Sequence, residues 1–387
     1  MRTFVAPWQV AAAVLIFNVG FFAPQLHREG AVSFAQIGNH FVTWHVAPAS
    51  HRSPRIASLS GTRRIGYDGQ FSYYMDLDPV RARYYTDDPP YRYGRILLPA
   101  AAWVLGAGQP GAFAYTLIAL NLFAIVATVY LLAGYLVRRG LTPWWAGLYG
   151  VFPGIMICLW ADLSEPLAFL FAAWGYLEYE RRPERVARYG ALFALAVLAR
   201  ETALVIPALV AIQIALRGRE GLRLRGRAVG AAAALLAITL VPTAIWRGFL
   251  QWWLGGSPFG TPYDWVPFQG IWHYWPFGGR AVVVLLAVVL PGLVWLVLAL
   301  DRLRSGRPTL PQFMVIVSVL LFVVLVPSAV EAVYESAGRT ITSLVLAVIL
   351  WLPDLRASPP YRPRLVDGAI WLLTPVWFLI VLALAAL

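Results

Sequence analysis

Long apolar stretches alternate with short polar links along nearly the whole chain. The apolar runs lie at about 8–24, 111–137, 144–160, 165–180, 189–200, 203–216, 228–248, 281–300, 312–327, 340–353 and 369–387. A bilayer core takes about 20 apolar residues as helix. The pattern therefore predicts an all-α polytopic membrane protein of about eleven transmembrane helices, several of them short. With no internal repeat of fixed period and no low-complexity linker, a single transmembrane domain covers 1–387. The first run follows a lone Arg2 and precedes no small-x-small cleavage site. It reads as a retained helix and not a cleaved signal peptide.

The links fall into two classes. Arg138–Arg139, Arg181 to Arg188, Arg217 to Arg227, Arg302 to Arg307 and Arg356 to Arg364, with Arg2, carry 18 of the 31 arginines. The short links between them carry Arg200, Arg247, Arg280 and Arg339. The positive-inside rule then places the N-terminus in the cytoplasm, and the odd helix count places the C-terminus outside. Segment 96–108 (ILLPAAAWVLGAG) decides whether this scheme closes. As a full span it would invert everything after it, so it is read as a helix on the outer membrane surface, with Leu97, Leu98 and Trp103 towards lipid. The first outer loop then runs over 25–110, and a second, aromatic one over 246–280.

Composition sharpens the class. Of 387 residues 60% are hydrophobic and 13% charged, with a mean hydropathy of +0.66. Soluble domains are roughly 45–50% apolar and about a quarter charged. A soluble globular enzyme, a disordered chain and a collagen-like chain are excluded. The net charge of +12 suggests nucleic acid until it is mapped: the outside holds 13 arginines against 12 acids, the inside 18 against 7. The excess is topogenic. No lysine occurs, a bias that carries no functional weight. The lone Cys158 rules out an intrachain disulfide and a cysteine-built metal site.

The acids that could do chemistry face outward. The densest group is Tyr67-Asp68-Gly69-Gln70-Phe71, then Asp76, Asp78, Asp87-Asp88 and Arg92-Tyr93-Gly94-Arg95. Asp68, between aromatics with Gly69 behind it, is the candidate general base for an incoming hydroxyl, or the residue that organises a metal. Asp76 and Asp78 read as turn residues on a solvated loop. Asp87 and Asp88 could hold Mg²⁺ or Mn²⁺ with a phosphate. Arg92, Arg95, Arg200 and Arg339 are candidate phosphate contacts, because the planar guanidinium fork matches phosphate oxygens. Snorkelling to lipid headgroups is the plain alternative for Arg92, Arg95 and Arg339. Asp162, Glu165 and Glu201 are candidate lining residues. For Arg200 the structural alternative is an ion pair with Glu201 or Glu165. Ser164 before Glu165-Pro166 reads as an ordinary helix start. Trp265 and His273 join the candidate lining, since twelve aromatics in loop 246–280 exceed what an interfacial belt needs.

The order of these features resembles the C-type (GT-C) membrane glycosyltransferases. Within them it is most similar to the glycosylphosphatidylinositol mannosyltransferase II family and its bacterial relatives. The matching parts are one N-terminal span, a long outer loop with Tyr67-Asp68-Gly69, a surface helix opened by Arg92-Tyr93-Gly94-Arg95-Ile96-Leu97-Leu98-Pro99, Asp162-Leu163-Ser164-Glu165, and Leu195-Ala196-Val197-Leu198-Ala199-Arg200-Glu201-Thr202. The likeness covers roughly 8–216 and departs from the family at Glu201-Thr202-Ala203, where Pro/Ser-Thr-Gly is usual. It implies an inverting transfer of a sugar, mannose in the named family, from a polyprenyl-phosphate donor to a glycan or lipid acceptor. The outer-loop aspartate would be the base, and the active site would lie on the outer (periplasmic) face of the inner cell membrane. The rival classes are a transporter or flippase of lipid-linked sugars, and a non-catalytic membrane subunit. Polar residues gathered on one side, and no sign of two similar halves, favour the enzyme.

Overall fold

The computed structural model describes residues 5–44, 49–61, 64–217, 222–256, 266–269, 271, 278–305, 308–325, 338–357 and 363–385. Among the described residues the chain is all-helical, without a β-strand. The first long helix is α1 (Pro7–Glu29); the short helices that follow it include α2 (Gly69–Leu77), α3 (Pro89–Tyr93) and α4 (Leu97–Leu105). Next come α5 (Pro110–Arg138), α6 (Trp144–Val151), α7 (Pro153–Trp160), α8 (Glu165–Arg181), α9 (Val186–Ala199), α10 (Val205–Arg217) and α11 (Leu222–Leu254). The chain ends with α12 (Gly279–Arg304), α13 (Leu310–Val324), α14 (Gly338–Ala357), α15 (Pro363–Trp371) and α16 (Pro375–Ala385).

Within the described residues each apolar run of the sequence is mostly helix, and proline sets two interruptions. The run 144–160 breaks at Phe152, which is extended (φ −64°, ψ 131°), because Pro153 disfavours helical backbone in the residue before it. The last run bends by 58° between α15 and α16, ahead of Pro375. Two helices also carry a π-turn, at Leu285–Val289 in α12 and Leu320–Val324 in α13, and the two turns pack on each other. Among the described residues five helices, α1, α5, α11, α12 and α14, are long and apolar enough to cross a membrane, and the bent α15–α16 pair makes a sixth if it counts as one span.

Packing follows the chain order. Helix α8 lies between α5 and α9, α9 also meets α11, and α14 rests on α13. Glycine lets the backbones approach. A Cβ at Gly150 would collide with Val14 of α1 and come within 2.9 Å of Val129 of α5; one at Gly175 would come within 2.7 Å of the Phe193 ring. A second hydrophobic core holds the region between α1 and α5 together: Phe41, Phe71, Tyr74, Tyr85, Tyr93 and Leu98 pack on Phe113 and Leu117 of α5 and Leu250 of α11. The first loop is thus a folded cap on one end of the bundle.

Two expectations change. Leu98 is fully buried in the cap core, so it does not face lipid; Trp103, Val104 and Leu105 form the exposed side of α4. The helix period rotates Leu98 onto the face that meets α5. At nine residues, about 14 Å by helical rise, α4 is too short to cross a bilayer core. The aromatic loop is shorter than 246–280, because α11 runs on to Leu254. No proline interrupts it there, and Trp246 donates to the Tyr93 carbonyl (2.8 Å) while Trp253 packs edge-on against the Tyr93 ring.

Charged residues sit at two ends. Arg139 pairs with Glu180 (3.0 Å) and Arg188 with Glu178 (3.1 Å) at the C-terminal end of α8. Glu165 opens the same helix, about 24 Å away by helical rise over its 17 residues.

Because Gly150 admits Val14 and Val129, Gly150→Leu overpacks the α1–α5–α6 contact and should cost about 1–3 kcal/mol. Thermal unfolding in detergent checks this, with Val14→Ala in the same chain restoring part of the loss. An unchanged melting temperature for Gly150→Leu would disprove the close approach.

Candidate functional site

The backbone around Asp68 is pinned before any charge is considered. Gly66 takes a left-handed conformation (φ +79°), and the Tyr67 amide donates to the Gln36 carbonyl (2.9 Å). The buried Gln70 amide ties three strands of loop together. Its Oε1 accepts from the Gly38 amide (3.0 Å) and the Tyr74 hydroxyl (3.2 Å), and its Nε2 donates to the Ile65 carbonyl (3.1 Å). Gly69 lies directly against the Ala161 carbonyl, where a Cβ would collide, so the start of α2 is pressed onto the α7–α8 link.

Asp68 occupies the cap position of α2, yet its side chain makes no capping bond. Its carboxylate is engaged by arginine instead. Arg92 reaches Oδ1 at 3.0 Å, while Arg339 and Arg95 approach Oδ2 at 2.8 Å and 3.9 Å. Burial opposes the charge of Asp68, but the guanidiniums of Arg92, Arg339 and Arg95 outweigh it and hold the carboxyl well below the usual carboxylate range. The flanking aromatics are seats for these cations. Arg92 lies over the Phe71 ring (4.5 Å), Arg95 over Tyr91 (4.3 Å) and Arg339 over Tyr67 (5.2 Å).

The network continues outward from these arginines. Arg92 holds both oxygens of Asp87, at 2.8 Å and 2.7 Å. Arg95 forks onto Glu201 (2.7 Å and 3.2 Å) and also donates to the Tyr91 hydroxyl. Arg200 pairs with Glu165 at 3.0 Å, and Arg339 stands 3.6 Å from the same carboxylate. Arg339 gets this close because Gly154 of α7 gives way to the first turn of α14, where a Cβ would lie 3.2 Å from the Arg339 Cα.

The structure therefore joins Tyr67, Asp68, Gly69, Arg92, Arg95, Glu165, Arg200, Glu201 and Arg339 in one cluster. Asp162 is adjacent but separate: fully buried at a positive φ of 46°, it has Asn121 of α5 beside it, and burial pushes its carboxyl well up. Arg247 of α11 is the residue the sequence reasoning missed. It lies 4.0 Å from Glu201 and is buried. The available signal was an arginine inside an apolar helix, which is costly without a partner. Trp265 and His273, and with them Glu331 and Glu335, lie outside the described residues.

Asp76 is not on a solvated turn. It sits in α2 at 2% exposure, because the second helical turn that carries Tyr73 and Tyr74 into the cap core carries it inward as well. Asp78 does behave as a turn residue, accepting from the Arg81 amide (3.0 Å). Asp87 gives both oxygens to Arg92, and Asp88 caps α3 by accepting from the Tyr91 amide (3.4 Å). Both residues are thus engaged with protein partners in this arrangement, and no group of three metal-ligating side chains occurs among the described residues. Ser164 holds the cap position of α8 without a side-chain bond. Compared with family models, curated proteins and solved structures, the chain matches none.

Burial, reinforced by Asp162, raises the Asp76 carboxyl from its ordinary value of 3.8 to about 9. The folded state thus keeps a proton that the unfolded state has lost, and stability falls as pH rises between about 4 and about 9. Asp76→Asn removes this dependence. It should melt above the wild type near pH 9 and alongside it near pH 4. Parallel melting-versus-pH curves for the two proteins would refute the assignment.

Proposed function

We propose that the chain is an inverting GT-C-type glycosyltransferase of the inner cell membrane, moving a sugar from a polyprenyl-phosphate donor to an acceptor hydroxyl on the outer face. The short helices α6 to α10 and α13 complete the five or six long ones into about eleven spans. One observation carries the reading. Three guanidiniums, Arg92 and Arg95 from α3 and the turn after it and Arg339 from the first turn of α14, converge on one carboxylate, Asp68, at one polar end of an apolar bundle. Sugar transfer needs positive charge for a departing phosphate and a base beside the attacking oxygen.

The reaction follows from these residues. With three arginines on it, Asp68 is a weak base. A donor phosphate competes for the same arginines, loosens their hold and restores the basicity of the carboxylate. The acceptor oxygen then forms a bond to the anomeric carbon while the bond from that carbon to the phosphate oxygen breaks. The acceptor proton passes to Asp68, and the phosphate leaves with its charge held by Arg92, Arg95 and Arg339. Arg200 and Glu165 keep Arg339 in place, and Glu201 does the same for Arg95. The polar groups of this cluster gather at one end, whereas transport sites lie near mid-membrane, which favours transfer over transport.

Purified protein incubated with a panel of polyprenyl-phosphate sugars should consume one of them. Asp68→Asn should lower transfer by about 10²–10⁴-fold, the loss of a general base. Arg339→Gln should weaken the donor KM as well as kcat. Because Asp68 joins the cap to the bundle, melting curves must accompany the rates. A folded Asp68→Asn protein with near-normal transfer would remove Asp68 as the base.

Sidedness has its own test. In a Cys158→Ser background, a cysteine at Asp87 should react with an impermeant reagent from outside intact cells, and one at Arg182 should not. Labelling of position 182 from outside would invert the orientation.

A further inference from the structure

A cavity of about 730 Å³ opens between the last turns of α1, the segment 31–37 and Trp160 at the end of α7. Gln25, Glu29, Ser33, Gln36 and Ser60 line it together with Trp160. The lining differs in kind from the arginine cluster: two amides, two hydroxyls, one carboxylate and an indole, alongside the aliphatic Val32 and Ile37, with no cation among them. Amides, hydroxyls and a carboxylate can bond the hydroxyls of an uncharged polyol, and an aromatic wall takes its apolar face. Gln36 carries strain there. Its backbone is left-handed (φ 51°), a conformation costly for a residue other than glycine and one that collects at ligand clamps. The Gln36 carbonyl also accepts from the Tyr67 amide (2.9 Å), so the cavity wall is bonded to the residue next to Asp68.

Trp160 has a second role. It is part of the wall of a groove of about 480 Å³ between α1, α7 and α16, lined otherwise by apolar side chains such as Phe21, Phe22, Ile157, Phe378 and Leu382. Leu379 and Phe21 beside it are exposed, so the groove opens on the outside of the helix bundle. The apolar groove and the polar cavity therefore meet at one residue.

We infer that the two hollows form a single site for an amphiphile, with its hydrocarbon chain in the groove, an uncharged polyhydroxyl head in the cavity and Trp160 as the common wall. That this amphiphile is a reactant rests on the transfer reading; its binding does not. The amphiphile is a lipid-anchored acceptor: the sugar donor carries an anionic phosphate between chain and sugar, and this lining holds a carboxylate and no cation.

The test uses the full chain in phosphatidylcholine nanodiscs and a dodecyl β-glucoside bearing a diazirine at the chain end. Irradiation should label α1, α7 and α16 around the groove. Excess octyl β-glucoside should suppress the label, and dodecylphosphocholine should not. Gln25→Leu and Ser60→Trp, which alter only the cavity lining, should each lower labelling about tenfold, the scale of one or two lost hydrogen bonds. Leu382→Trp, which fills the groove, should abolish it. Label spread evenly over all outward-facing helices, or unchanged in both cavity variants, would overturn the site and leave an ordinary lipid-facing surface. Undecaprenyl phosphate tests the other source: its failure to compete supports the acceptor, and competition by it would assign the groove to the donor chain and overturn the acceptor assignment. Head-selective labelling in a protein that consumes no donor would defeat the transferase reading and leave this site standing. Transfer without selective labelling would do the reverse.

Discussion

Charge beside an apolar helix bundle must be paired, and that constraint organises one whole end of this molecule. Arg92, Arg95, Arg200, Arg247 and Arg339 share Asp68, Asp87, Glu165 and Glu201. Removing one partner from such a set strands another charge where water is scarce, which costs more than the pair itself contributes. The network draws on the starts of α2, α8 and α14, on α3 and the turn after it, on the α9–α10 link and on α11. No two-body contact could fasten the cap to so many helices at once. The glycines at Gly69 and Gly154 serve the same end, since they let α2 and α14 come close enough for Asp68 and Arg339 to meet.

Much of the fold was legible because hydrophobic periodicity is a local property. Within the described residues each apolar run is mostly helix, and the break at Phe152 follows from Pro153 alone. What was not legible depends on distant partners. Asp68 and Arg339 are 271 residues apart, and nothing in either neighbourhood announces the other. Asp-Leu-Asp-Pro around Asp76 reads locally as a turn, yet the first aspartate is carried inward with Tyr73 and Tyr74. Leu98 was misplaced for a related reason: an apolar surface helix has a lipid side and a protein side, and the cap core that chooses between them is assembled from Phe41 to Leu250.

The candidate site shows the same division. The residue types in Tyr67-Asp68-Gly69-Gln70-Phe71 are readable as unusual, but their division of roles is set by the fold. Only Asp68 faces the arginines as an ion. Tyr67 and Phe71 carry cations on their ring faces, Gly69 yields space to a carbonyl, and Gln70 is a three-way tie for the loop. Asp68 also forgoes the capping bond that an aspartate at a helix start normally makes, because both oxygens are turned to guanidiniums. The helix start gives up a local bond, and the assembled site keeps the carboxylate.

The paired π-turns of α12 and α13 have a consequence for how this chain can vary. A π-turn holds one residue more than the α-helix it interrupts, and an extra residue rotates everything beyond it by about 100°. The apolar faces of α12 before and after Leu285–Val289 are therefore in phase only because the surplus residue is kept. Homologous chains should lengthen or shorten α12 by single residues at this turn and almost nowhere else along it. Because this turn packs against the π-turn that ends α13, a length change there should be accompanied by a change at the end of α13.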